Sequence, residues 1–172
     1  MAVVLAFDPS MRNWGCVVAN WSNKKLTIIH TETISIDSFA SAKNIQLLEI
    51  ASEMYKQLST LIENYRPDAI ISEIPHGSQS ANAMKSYAFV ITILGIIATL
   101  GIPFKTISAY DVKHVVGSDN PSKKQIVEWV SSKHPNVFPL SRLGKVSVDS
   151  NQHIADAIVV IYAHLLSRGI TP

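Results

Sequence analysis

Residues 3–10 read Val-Val-Leu-Ala-Phe-Asp-Pro-Ser, an unbroken apolar run that delivers an aspartate, Asp8, straight into a turn. A run this short with no polar alternation reads as a buried strand. After Pro9, Ser10, Asn13 and Gly15 a second apolar run begins at Cys16 and reaches Trp21. Ser22-Asn23-Lys24-Lys25 then turns the chain into Leu26 to Ile34, where Leu26, Ile28 and partly His30 alternate with polar residues. Three consecutive antiparallel strands follow from this pattern.

Beyond them the period changes. From Ala42 to Tyr65 the apolar positions Ile45, Leu48, Ile50, Ala51, Met54, Leu58, Leu61 and Ile62 recur at steps of three and four, and Pro67 ends the series. This is an amphipathic helix. Ala69-Ile70-Ile71-Ser72-Glu73 reads as a short buried strand, followed by a polar loop and a helix from about Ser80 to Leu100, stopped by Gly101 and Pro103. Phe104 to Ile107 is a further strand. A short helix over Tyr110 to Val115 comes next, then one to about His134 with Asn120 as its N-cap and Pro121 in its first turn. Residues 135–148 read as irregular, and a last helix begins near Asp149 to Asn151 with Ile154, Ala157, Ile158, Ile161 and Leu165 on one side. The order β-β-β-α-β-α-β-α-α-α predicts an α/β domain: a five-stranded mixed sheet, antiparallel hairpins first, with helices on both faces.

The 172 residues suit one domain, 1–172, and 47% hydrophobic against 16% charged content is enough to close a core, which argues against a disordered chain. A formal charge of +2 permits a polyanionic partner without demanding one. The single cysteine, Cys16, allows no intrachain disulfide and is expected to be buried and inert. The first residues have no basic region and meet Asp8 too early for a signal peptide, and the apolar window 86–104 is interrupted by Thr92, Gly95, Thr99 and Gly101. The expectation is a protein of a reducing, cytoplasmic or other intracellular compartment, neither secreted nor bound to a membrane.

Asp8 and Glu73 each end a buried strand. Burying a lone carboxylate is costly unless it is paired or bound to a cation, so two of them at the carboxyl ends of core strands invite a metal. His153 and Asp156 stand three residues apart at the start of the last helix and share a face. Three carboxylates and a histidine suit a hard divalent ion, and nothing resembles a thiolate zinc site. Each residue also has an ordinary reading: a turn former for Asp8, a helix-dipole partner for Asp156, a solvated histidine for His153. Their order and spacing together favour the site.

Taken with Trp14-Gly15, Pro67-Asp68, Ser80-Ala-Asn-Ala-Met-Lys85, Val112-Lys113-His-Val-Val-Gly117, Lys123-Lys124-Gln125 and His153-Ile-Ala-Asp156-Ala157, these residues resemble the RuvC family of Holliday junction resolvases in the ribonuclease H-like superfamily. The resemblance spans nearly the whole chain. It implies that Asp8, Glu73, His153 and Asp156 are both catalytic residues and ligands of two Mg²⁺ ions, with Mn²⁺ able to substitute. It also implies phosphodiester hydrolysis with 5′-phosphate products, on four-way junctions, by paired symmetric nicks. His153 would either complete the coordination or deprotonate the attacking water.

Lys113, Lys123 and Lys124 fall on blocks that supply phosphate contacts in that family, with Lys85, Arg12 and Asn13 as further candidates. The loop Pro75-His76-Gly77-Ser78-Gln79-Ser80 offers His76, Ser78 and Gln79 for backbone contacts, with His76 where related resolvases carry an aromatic wedge. Ser10 stands where the family has glycine. The helix from Ala81 to Leu100 is apolar on more than one face, which predicts a symmetric homodimer. No helicase partner is named by the sequence. The competing readings are a monomeric nuclease of the same fold acting on flaps, forks or RNA-containing duplexes, and a non-catalytic nucleic-acid-binding protein.

Overall fold

In the computed structural model, which describes residues 2–37, 43–75, 80–118, 120–140 and 146–170, the first three strands are β1 (Ala2–Pro9), β2 (Asn13–Ser22) and β3 (Lys25–Ser35). They pair antiparallel in sequence order. Ser22 pairs with Lys25, so the hairpin loop is Asn23-Lys24, and both residues have positive φ (51° and 61°). That is the primed turn that matches the twist of paired strands; Asn23 accepts it readily, whereas Lys24 bears a strain of about 1 kcal/mol.

A bulge interrupts β3. Val18 pairs with His30 and Ala19 with Ile28, leaving Ile29 as the extra residue, half exposed. Ile28 therefore packs on one face of the sheet, while His30 stacks on Tyr65 on the other, at 5.2 Å between ring centroids. This is why the alternation through Leu26 and Ile28 fails at His30.

The helix α1 (Lys43–Tyr65) leads through Arg66, at φ 44°, into β4 (Ala69–Ile74). Asp68 ties this junction to the sheet: its carboxylate accepts from the Val3 amide at 2.7 Å, and its own amide donates to the Val3 carbonyl. β4 lies parallel to β1, and β5 (Phe104–Ser108), which follows α2 (Ala81–Ala98), lies parallel to β4. The order is β3-β2-β1-β4-β5, the expected five-stranded mixed sheet.

Alternate residues of the central strands feed two cores. Leu5, Phe7, Cys16, Val18 and Ile70 pack with Ile50, Met54 and Leu58 of α1 and Val90, Ile93 and Ile97 of α2. Ala6, Val17, Ala19 and Ile71 face the other way, onto α3 (Ala109–Val115), α4 (Lys123–Lys133) and α5 (Val148–Ser167). Cys16 is fully buried, and burial raises its thiol pKa, with Glu32 and Asp8 adding to the effect, so the inert reading holds.

Three expectations are corrected. Ser122, not Asn120, caps α4: its hydroxyl accepts from the Gln125 amide while the Gln125 side chain accepts from the Ser122 amide, a reciprocal pair that Asn120 cannot form from its position. Pro121 thus precedes the cap. The last helix is not buried along one side: Val159, Val160, Tyr162 and Ala163 are buried with Ala157, Ile158 and Ile161, because the sheet, α3 and α4 enclose it. Ile154 is only partly buried. At the start of α1, Ile45 and Leu48 continue the helical period yet stand exposed, Leu48 by 70%.

Candidate active site

The register brings the two strand-end carboxylates together. β1 and β4 pair in parallel through Phe7 and Ser72, so Asp8 and Glu73 are the next residues on adjacent strands, about 5 Å apart in backbone position. Both share a face with Ala6 and Ile71, the face covered by α5. The same helix presents His153 and Asp156 from its first turns.

His153 reaches Asp8 directly, with Nδ1 and Oδ2 2.8 Å apart. A carboxylate only accepts, so Nδ1 carries the proton and Nε2 is left for another partner. The hydrogen bond to Asp8 is the main cause that raises the His153 pKa, helped by the charges of Asp8 and Asp156 and opposed by burial and Lys123. Glu73 is pushed up to about 7 by burial, then by the charges of Asp8 and Asp156, with Lys113 pulling it back. Asp156 is pushed up to about 7 by burial and by Asp8, against His153 and Lys123. Two carboxyls held this far above their ordinary range mark a place short of positive charge.

Gly15, a turn residue by its sequence, is part of this arrangement. It pairs with Asp8 across the β1–β2 ladder, and a Cβ there would overlap the main-chain carbonyl of His153. The first turns of α5 therefore rest on bare backbone beside Asp8. Asn151, also missed, is buried inside those turns, and its Nδ2 donates to the Ser147 carbonyl at 2.8 Å. A polar residue at a buried helix position leaves no signal in apolar periodicity.

Around the acids, Lys113 and Lys123 are close enough to act on Glu73 and on His153 and Asp156 respectively, and Lys113 Nζ also donates to Asn120 Oδ1 at 3.4 Å. Lys124 turns outward to Glu128 at 3.6 Å, a solvent-exposed helix pair of little energetic weight. Arg12 and Asn13 follow Asp8, where their carbonyls accept from the Ile36 amide and from Ser10. Lys85 lines the groove between α1 and α2. His76, Ser78 and Gln79 lie outside the described residues.

Among the described residues no trio of His, Cys, Asp or Glu side chains is gathered around one point, and Asp8 and His153 engage each other instead. The donor set nonetheless fits a hard divalent cation: three oxygen donors and an imidazole, two of the carboxyls short of compensating charge.

Paired acids at the ends of two parallel central strands, a leading antiparallel hairpin and a crossing helix whose His153 bonds Asp8 give the chain a ribonuclease H-like fold. Residues 4–164 match the family model "Crossover junction endodeoxyribonuclease RuvC", and the chain belongs to that family, whose members are metal-dependent nucleases. A RuvC from Geobacter sulfurreducens is 31% identical over 133 residues, covering 75% of this chain and 77% of that protein. One from Geotalea uraniireducens is 29% identical over 131 residues, covering 74% and 72%. The fold is similar to Thermus thermophilus RuvC in complex with Holliday junction substrate, with a TM-score of 0.72, 17% identity and 98% and 95% of the two chains covered. It is also similar to the yeast mitochondrial Holliday junction resolvase Ydc2, with a TM-score of 0.63, 12% identity and 93% and 76% covered. Among the described residues no helix is long and apolar enough to cross a membrane.

Proposed function

We propose that the whole chain acts as one Mg²⁺-dependent nuclease domain that resolves four-way DNA junctions in recombination and repair, cutting as a homodimer. The observation that carries this is the bond between His153 and Asp8, with Glu73 next to Asp8 on the neighbouring strand and Asp156 in electrostatic reach of both Asp8 and His153, in a chain that matches the RuvC family from residue 4 to residue 164. Asp8, Glu73, His153 and Asp156 would hold the metal. Two Mg²⁺ ions, or Mn²⁺, would supply a water of lowered pKa and neutralise charge on the departing oxygen.

The chain's own groups do the rest. Water attacks the phosphorus, the P–O3′ bond breaks, the 3′ oxygen takes a proton, and a 5′ phosphate remains. Asp8 orients the His153 ring through Nδ1, leaving Nε2 either to complete the coordination or to receive the water's proton. Lys113 and Lys123, beside the acids, neutralise phosphates of the bound strand, so binding weakens with salt.

A groove of about 500 Å³ between α1 and α2, lined by Leu47, Leu48, Ala51, Phe89, Ile93 and Ile96, supports the homodimer. Leu48 and Ile96 stand 70% and 44% exposed there, an apolar surface that the same face of a second copy would cover. Dimerisation would give two active sites for two paired nicks. We place the chain in a reducing intracellular compartment, a reading that rests on its family and leaves the buried Cys16 as an inert thiol.

Cleavage of a labelled immobile four-way junction, beside a flap, a fork, linear duplex and an RNA–DNA hybrid, tests the reading in Mg²⁺ and in EDTA. Symmetric nicks confined to the junction and absent in EDTA are expected. Preferential cutting of another substrate would remove the junction assignment, and binding without any cutting would point to a non-catalytic protein.

A further inference from the structure

On α3, Tyr110, Lys113 and His114 occupy one face, at spacings of three and four residues, opposite the buried Val112. Tyr110 is 65% exposed, and its ring lies against the His114 imidazole with centroids 4.0 Å apart and planes tilted by 40°. The pair is held rigidly. His114 Nδ1 donates to the Tyr110 carbonyl at 2.8 Å, and the helix start is locked by Ser108 and Asp111, whose hydroxyl and carboxylate meet at 2.6 Å.

The sheet register fixes where this face lies. Glu73 pairs with Ile107 and Ile74 with Ser108, so α3 begins two residues beyond the strand position opposite Glu73. Tyr110 follows two residues after Ser108, and Lys113 acts on the Glu73 carboxyl from the same face. An exposed, immobilised aromatic pair flanked by a lysine, at the rim of an acidic site, has the composition of a surface that stacks a base while a cation takes the neighbouring phosphate.

We infer that the Tyr110–His114 pair is a stacking platform for an unpaired nucleic-acid base displaced beside the cleavage site. This deepens the nuclease reading and rests on it. The pair requires no base identity, since every base offers a π-face, so it selects for strands that have lost their stacking partner and not for sequence. At a branched substrate such bases occur at the point of strand exchange, and linear duplex has none inside it.

The test uses the full chain in EDTA, where nothing is cut, and a four-way junction carrying 2-aminopurine at the exchange point. Wild type and Tyr110→Phe should quench the fluorophore; Tyr110→Leu should lose the quenching and bind the junction about tenfold more weakly, with linear duplex affinity unchanged. Tyr110 lies outside the core, and His114→Ala, expected to give an intermediate loss, provides a second variant. Unchanged quenching and affinity in Tyr110→Leu, or an equal loss on junction and duplex, would overturn the inference. A wild type with no preference for junctions over duplex would instead reject the resolvase reading. The platform would then be decided on single-stranded 2-aminopurine DNA by the same comparison of wild type with Tyr110→Leu.

Discussion

Gly15 and His153 meet backbone to backbone: the helix α5 crosses the sheet where β2 has no side chain, directly across the ladder from Asp8. The hydrogen bond between His153 and Asp8 depends on that closeness. Overlap with a main-chain carbonyl cannot be relieved by a rotamer change, so Gly15→Ala must displace the start of α5. A loss of about 1–3 kcal/mol in stability is expected, the usual range for overpacking, with cleavage reduced at least about tenfold. Denaturant unfolding and single-turnover cleavage measure the two effects; a variant equal to wild type in both would show that α5 does not rest on Gly15 as described.

Asp8→Asn, Glu73→Gln and Asp156→Asn each remove one negative oxygen donor from the proposed metal site. Cleavage should fall by about a hundredfold or more, while junction binding in EDTA survives or tightens as repulsion of the phosphates declines. Asp8→Asn has a second readout. Its amide is a poorer partner for His153, so the His153 pKa, raised chiefly by that hydrogen bond, should fall toward its ordinary value in a proton NMR titration. Retained cutting, or a His153 pKa that does not move, would contradict the arrangement.

The pH dependence of the metal-free protein follows from the same carboxyls. Glu73 and Asp156 rise to about 7 from reference values of 4.5 and 3.8, so between those limits the folded state binds more protons than the unfolded one. Their contribution to stability is therefore greatest at low pH and is lost as pH rises from about 4 through 7. His153, also raised, acts in the same sense; His134 and His164, lowered chiefly by burial, oppose it by costing stability as pH falls below about 6.5. Comparing melting temperatures of wild type and the Glu73→Gln, Asp156→Asn double variant in EDTA isolates the acids. The double variant should gain stability over wild type as pH rises, and added Mg²⁺ should stabilise wild type more strongly at pH 8 than at pH 5. Parallel pH profiles for the two proteins would show that the carboxyls are not held under this strain.

Leu48→Glu tests the proposed dimer. The side chain is exposed in the single chain, so a charge there should leave the fold intact yet place two like charges against an apolar surface in the assembly. Light scattering should report a dimer for wild type and a monomer for the variant, and paired nicking should decay into single, uncoupled nicks. A wild type that is monomeric at cleaving concentrations would refute the assembly.

The elements themselves were legible in the chain because their periods are strong. The apolar run into Asp8, the helical spacing from Ile50 to Ile62 and the short run ending at Glu73 depend on which residues alternate, a local property. Local pattern does not choose where two residues offer the same local solution. Asn120 and Ser122 can both cap a helix, and only the reciprocal bond with Gln125 chooses Ser122. Lys123 and Lys124 are adjacent and alike, but the helix phase turns one toward Asp156 and the other toward Glu128.

By itself the sequence determined the order of strands and helices, the inert burial of Cys16 and the candidacy of Asp8, Glu73, His153 and Asp156, because strand ends and helix faces follow from residue type and spacing. Only the tertiary structure decided that Asp8 and Glu73 are neighbours on one face, that Gly15 carries the crossing of α5, and that α3 begins two residues past the strand position opposite Glu73. Those relations are set by strand register and by the close packing of backbone on backbone between residues distant in the chain, which a local period cannot encode.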